Sequence, residues 1–266
     1  MNILDKIVAH KKLEVQQRKA LLPVKDLEKK ALFARRPLSL RQFLTDPAKT
    51  GIIAEFKRQS PSRGVINGTA DVTAVTKAYA ANGASCLSVL TDEKFFGGSS
   101  EDLEKARVNP IPVLRKDFMI DEYQVVEARA MGADTILLIA ACLQPEEVRS
   151  LAAFAKSLEL EVLLEIHNEE ELGHICEETE LVGINNRDLK TFTVDIQRSI
   201  ELSEKIPSGR ITISESGISE VETIVRLRNF GFRGFLIGEN FMKEKDPALA
   251  FEKFAGKLKS AVLKNV

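Results

Sequence analysis

A chain of 266 residues with 44% hydrophobic side chains is long enough to bury one large core. Its 38 basic and 39 acidic side chains leave a formal net charge of −1, which excludes the basic stripe of a nucleic-acid-binding protein. No apolar run approaches the roughly 20 residues of a membrane span, and the opening Met1-Asn2-Ile3-Leu4-Asp5-Lys6-Ile7 carries charge too early for a signal peptide. Cys86, Cys142 and Cys176 are odd in number and widely spaced. They form no metal or redox pattern and read as reduced thiols of a cytoplasmic protein.

About 50 residues precede the first strand. Ile3, Ile7, Leu13 and Val15 alternate with Lys and Glu in a helical pattern. Leu27 to Phe33 forms a second amphipathic stretch and Leu40 to Leu44 a third. This extension reads either as a plug under the body that follows or as a flap over its functional face, and the residues leave both open.

Ile52-Ile53-Ala54-Glu55-Phe56-Lys57 then reads as a strand running into a turn, Arg58-Gln59-Ser60-Pro61-Ser62-Arg63-Gly64. Glu55 and Lys57 stand two apart and share a strand face. A buried carboxylate beside a buried ammonium is costly without a partner or a task. The alternative is an edge strand with a surface ion pair.

Seven further apolar runs follow: Cys86 to Leu90, Pro112 to Lys116, Thr135 to Ile139, Glu161 to Glu165, Leu181 to Asn185, Ile211 to Glu215, and Gly234 to Gly238. Successive strand ends lie 20 to 33 residues apart, room for one strand, one helix and two short loops. The segments between carry helix signals. Asp71 caps a run that stops at Asn82-Gly83, and Asp121 opens one that ends at Gly132. Gln144-Pro145-Glu146-Glu147 and Asn168-Glu169-Glu170-Glu171 put acids in first turns, and Ser219 reads as the cap of a helix to Phe230. A last helix runs from Pro247 to Lys264. Eight βα units in a chain of this length predict an α/β fold, a (β/α)8 TIM barrel. The expected domain is a single barrel over 1–266, of which 1–50 is the N-terminal helical extension.

Active sites of such barrels lie at the C-terminal ends of the strands. Glu55, Lys57, Lys116, Glu165, Asn185 and Glu215 all fall there. Five ionisable groups converging from four strands point to acid–base chemistry. Ser216-Gly217 after the seventh strand and Gly238 after the eighth suit a phosphate held on backbone N–H groups. Lys57 and Ser60 would close the other side. Ordinary turn glycines are the plainer alternative.

The motifs now resemble a known family along the whole barrel. They are Ala54-Glu55-Phe56-Lys57-Arg58 with Ser60-Pro61-Ser62, Ser88 to Asp92 with Phe95 to Ser99, and Leu114-Arg115-Lys116-Asp117-Phe118. Gly132-Ala133-Asp134 with Leu137-Leu138-Ile139, Leu164-Glu165-Ile166, Gly183 to Leu189, Glu215 to Ile218, and Leu236-Ile237-Gly238 continue the series in order. Together with the N-terminal extension they resemble indole-3-glycerol-phosphate synthase of tryptophan biosynthesis.

The resemblance implies a carboxy-lyase acting on 1-(2-carboxyphenylamino)-1-deoxyribulose 5-phosphate. It closes the indole ring with loss of carbon dioxide and then water, with no cofactor and no metal. Lys116 resembles the family's general acid and Glu165 its base or acid–base group, with Glu55 and Lys57 the pair that supports them. Asn185 and Arg187 would position substrate hydroxyls and carboxylate. Glu215 would bind sugar hydroxyls or hold Lys57. Phe96, Phe118 and Leu137 are candidates for the pocket around the anthranilate ring, with plain core packing equally open. Ser216, Gly217 and Gly238 would take the phosphate. Glu239 stands where some relatives carry Ser, so it is expected to offer only its backbone N–H, with its carboxylate turned away. Ser62 and Arg63 would help close the site. The expected partner is the phosphorylated small molecule alone, and the expected state a cytoplasmic monomer. His10, His167 and His174 are given no catalytic role; His167, just after the fifth strand, reads as a cap or a solvent-facing residue, with lining the mouth as the alternative. The resemblance also favours the extension as a flap near the mouth. Other readings are another phosphate-binding barrel, such as phosphoribosylanthranilate isomerase or a Schiff-base aldolase, and a barrel that binds without turnover.

Overall fold

The computed structural model describes residues 3–188 and 193–263. Met1 and Asn2 of the charged start, Leu189 of the sixth-strand motif and Lys264 of the last expected helix lie outside them. Eight parallel strands close into a barrel: β1 (Ile52–Phe56), β2 (Cys86–Leu90), β3 (Val113–Lys116), β4 (Thr135–Ile139), β5 (Glu161–Ile166), β6 (Leu181–Asn185), β7 (Ile211–Glu215) and β8 (Gly234–Ile237). Each pairs with its chain neighbours, and β8 closes on β1 with Ile52 opposite Phe235. Nearly every strand residue is buried, as expected of parallel strands covered on both faces.

Alternation sorts the side chains into two cores. Ile53, Leu114, Leu137, Leu163, Ile213 and Leu236 pack together inside the barrel. Ile52, Ala54, Leu87, Val89, Ile136, Leu138 and Val162 face the helices. Glu55, Lys116, Glu165 and Glu215 stand two positions beyond members of the inner set. The interior is therefore apolar at one end and charged at the other.

The helices in chain order are α1 (Ile3–Leu21), α2 (Val24–Leu27), α3 (Leu40–Thr45), α4 (Val72–Ala81), α5 (Glu93–Phe96), α6 (Ser100–Ala106), α7 (Glu122–Met131), α8 (Pro145–Ser157), α9 (Ile196–Ser203), α10 (Val221–Asn229), α11 (Glu239–Met242) and α12 (Pro247–Leu263). Asp71 caps α4 by accepting from the Ala74 N–H at 2.7 Å, and Asp121 caps α7 through Tyr123. The Gln144 N–H donates to Glu147 at 2.7 Å in a capping box on α8. Two expectations for the segments between strands fail. Glu169–His174 forms a 3-10 turn, so no α-helix joins β5 to β6. Ser219 does not cap α10, whose N-cap is Glu220 without a side-chain bond. Among the described residues no helix is long and apolar enough to cross a membrane.

The extension divides its work. Leu40 and Leu44 of α3 enter the inner core and plug its apolar end. Ile3, Leu4 and Ile7 of α1 line the cavity at the charged end. The second amphipathic stretch is reduced to α2 and turns, with Leu27 packed against Val15, Tyr123 and Val126. Leu13, read as part of the apolar face, is 59% exposed.

Candidate active site

A cavity of about 530 Å³ opens at the C-terminal ends of the strands. All the residues singled out for chemistry line it: Glu55, Lys57, Lys116, Glu165, Asn185 and Glu215, with Ser60, Phe96, Phe118, Leu137, Arg187, Ser216, Gly217 and Gly238.

Lys116 is the centre. Its ammonium donates to Glu165 Oε2 at 2.9 Å and to Glu215 Oε2 at 3.2 Å. Burial works against its charge, but Glu165 and Glu215 outweigh burial and raise its pKa, so it stays an ammonium. Lys57 forms a separate pair with Glu55 Oε1 at 2.6 Å. Glu215 thus holds Lys116, not Lys57 as one reading of the resemblance had it.

The two acids on Lys116 differ. Glu165 Oε1 accepts from Asn185 Nδ2 at 3.0 Å and faces His167 Nε2 at 3.2 Å. Burial pushes Glu165 up, yet Lys116 and His167 together hold its carboxyl well below the usual range. Glu215 has only its share of Lys116, and its Oε1 has no hydrogen-bond partner among the described residues. Burial, and Glu165 beside it, push Glu215 up to about 7. One carboxyl is fixed as an anion and its neighbour titrates near neutrality, the divergence that marks acid–base assignments.

Two glycines make room for these acids. A Cβ on Gly183 would stand 2.1 Å from Glu215 Oε1, and one on Gly238 would stand 2.4 Å from Glu55 Oε1.

The mouth near β7 and β8 carries the expected backbone features. Ser216 and Gly217 are left-handed, with φ of +69° and +72°, and Gly238 leads into the first turn of α11. Such a turn leaves backbone N–H groups without helical partners. The Glu239 carboxylate is drawn to Arg63 Nε at 3.0 Å and to Arg187 Nη2 at 3.8 Å. Arg63 thereby ties the loop after β1 to the start of α11. Opposite, Phe96 and Phe118 stand 5.9 Å apart in a tilted pair, and Leu137 and Ile139 continue the apolar wall.

The family model described as Indole-3-glycerol phosphate synthase matches residues 4–254. The chain is 46% identical over 254 residues to an indole-3-glycerol phosphate synthase of Bacteroides thetaiotaomicron, covering 95% of this chain and 97% of that one. It is 44% identical over 260 residues to one of Polaromonas sp., covering 96% and 98%. The chain belongs to the indole-3-glycerol phosphate synthase family. A mandelate oxidase structure, 16% identical with a TM-score of 0.61 over 80% of this chain and 74% of that one, shares the fold alone.

Within this family member, two residues near the site escaped the reading of the sequence. His167 was expected to cap or face solvent, yet it is 6% exposed, between Glu165 and Glu171. A signal existed, because Glu165 and His167 are two apart at the end of one strand. Lys11 of α1 is 1% exposed and lies 2.9 Å from each of Glu14, Asp92 and Asp117. Asp117 in turn accepts from Thr91 at 2.6 Å and pairs with Arg115 at 3.0 Å. Burial would raise Asp117, but Arg115 and Lys11 overcome it and hold the carboxyl well below its usual range. This cluster ties α1 to the loops after β2 and β3, next to Lys116.

Proposed function

We infer that the chain is a carboxy-lyase, an indole-3-glycerol-phosphate synthase of tryptophan biosynthesis. It converts 1-(2-carboxyphenylamino)-1-deoxyribulose 5-phosphate to indole-3-glycerol phosphate, carbon dioxide and water. Its residue roles are our proposal. The observation that carries them is the Lys116 ammonium held between Glu165 and Glu215 at the bottom of a cavity walled by Phe96 and Phe118.

The phosphate is bound by backbone N–H groups at Ser216, Gly217 and Gly238, with Lys57 and Ser60 on the facing side. The anthranilate ring lies against Phe96, Phe118 and Leu137. Arg187 and Asn185 orient the carboxylate and the sugar hydroxyls. Lys116 gives its proton to the ribulose carbonyl oxygen as the ring carbon attacks, so the alkoxide never forms free. Loss of carbon dioxide returns the bonding electrons to the ring. Water then leaves as Lys116, reprotonated, gives the hydroxyl a proton, and Glu165, fixed as an anion, removes the proton that completes the indole. Glu215, titrating near 7, restores the proton of Lys116. Glu55 and Lys57 hold each other and the phosphate end in place.

A Schiff-base route needs a neutral lysine amine, and the carboxylates around Lys116 oppose that state. The one-barrel domain with its N-terminal extension, the monomer and the cytoplasmic setting remain part of the proposal. Glu165→Gln tests the assignment. It lowers kcat by about 10²–10⁴ with KM little changed, in the range of a lost general base. A loss confined to KM overturns the role.

A further inference from the structure

We propose that His167, backed by Glu171, is a positioning residue for this reaction: it keeps the Glu165 carboxylate ionised and aimed into the cavity. The inference rests on Glu165 being the base.

The ring is fixed from both sides. Its Nδ1 lies 3.3 Å from Glu171 Oε2, and that oxygen also accepts the His167 backbone N–H at 2.7 Å. Glu171 is pinned in turn, because its Oε1 accepts from Asn168 Nδ2 at 3.0 Å and its N–H donates to Asn168 Oδ1 at 3.2 Å. The 3-10 turn at Glu169–His174, where a longer helix was expected, brings Glu171 back under the imidazole. On the far side Nε2 points to Glu165 Oε1 at 3.2 Å, yet it has no aligned hydrogen-bond partner among the described residues. The contact with Glu165 is therefore one of charge.

The groups around the pair can be named. Glu165 comes from β5, with Lys116 of β3 on its other oxygen, and Glu215 of β7 and Glu55 of β1 facing Lys116. Cys142, in the turn after β4, is near Glu165 and Glu171, and burial with those carboxylates pushes its thiol up to about 12, so it stays neutral. Two carboxylates face one imidazole. Burial alone would lower the His167 pKa, but contacts to Glu165 and Glu171 outweigh it and lift it to about 9. At neutral pH the ring is an imidazolium.

This charge breaks a symmetry. Glu165 and Glu215 both touch Lys116 and both are buried, so Lys116 alone does not decide which of them carries a proton. Of these two acids, His167 touches only Glu165. With the extra cation Glu165 stays a carboxylate, and the proton shared between the acids sits on Glu215.

The test is an NMR titration of the imidazole signals of the full chain, which has only three histidines. His167 is expected to remain an imidazolium past pH 8. In Glu165→Gln its titration is expected to fall by about one unit or more, since one of its two carboxylates is gone. A His167 titration near or below 7, or one indifferent to Glu165→Gln, overturns the inference. Neither readout requires turnover, so a wrong role for Glu165 would show separately, as an active Glu165→Gln enzyme. Kinetics add a second test. His167→Asn, and Glu171→Gln should the first fail to fold, are expected to shift the acid limb of kcat/KM upward by about one pH unit, a roughly tenfold loss at a fixed pH on that limb. A uniform loss with an unmoved limb would mean that His167 only packs, and would overturn the proposal.

Discussion

Lys11→Met removes the cation that ties α1 to the barrel mouth. Lys11 lies 2.9 Å from carboxylate oxygens of Glu14, Asp92 and Asp117, and the two aspartates are fully buried. Asp117 keeps Arg115, Thr91 and the Phe118 N–H. Asp92 keeps the Phe95 N–H on Oδ1, but among the described residues Lys11 is the only cation at its Oδ2. Stranding a buried charge costs about 3–5 kcal/mol. The helix has another way out. Its buried apolar contacts are Ile7 and Val15, worth about 1.5–3 kcal/mol each and so about 3–6 kcal/mol together. The two quantities match, so α1 is expected to lift and let water reach Asp92 rather than the barrel to unfold. Amides of residues 3–21 should then exchange about 10²-fold or more faster, since about 3 kcal/mol is two decades. KM should rise because Ile3, Leu4 and Ile7 leave the cavity wall, while kcat changes little. Pairing Lys11→Met with Asp92→Asn should recover part of the protection. Hydrogen exchange by mass spectrometry with steady-state kinetics reads both. Unchanged exchange over α1 together with an unchanged KM would refute the reasoning.

Gly183→Ala should displace the Glu215 carboxylate, whose Oε1 would meet the new Cβ at 2.1 Å. Activity should drop about 10²-fold or more, of the order seen when one proton-transfer group is lost, while circular dichroism stays native. Stability should fall as pH rises from about 5 to 9. Glu215 is raised from 4.5 to about 7 and His167 from 6.5 to about 9, so each folded group binds its proton more tightly than the unfolded one. Their contributions are fully present below the unfolded values and are lost as pH climbs through the folded ones. Urea midpoints across this range check it, and His167→Asn should flatten the upper half of the slope.

The barrel was legible because the strands are apolar runs, most of them ending in or leading into a polar residue, and the period of two then settles which residues meet inside. Their position at strand ends put Glu55, Lys116, Glu165 and Glu215 at one mouth of the barrel. It does not say which lysine an acid reaches across the barrel, so Glu215 was open to sugar hydroxyls or to Lys57, and it holds Lys116. In α1 the buried stripe is Ile7, Lys11, Val15, an i, i+4, i+8 row with a lysine in it. Reading hydrophobic residues rather than the period chose Leu13 and overlooked Lys11. Asn168 with three following acids gives the same signal for a 3-10 turn as for an α-helix, because first turns share their capping chemistry. The split of the extension between plug and mouth depends on where the chain crosses the barrel, which no local pattern records.

The most direct measurement follows fluorescence while the protein meets 1-(2-carboxyphenylamino)-1-deoxyribulose 5-phosphate. The chain has no Trp, so a growing indole signal reports product alone. The wild-type protein should produce that signal, and Lys116→Ala should abolish it while substrate still binds by calorimetry. A Lys116→Ala protein that forms indole at near wild-type rate would contradict the account.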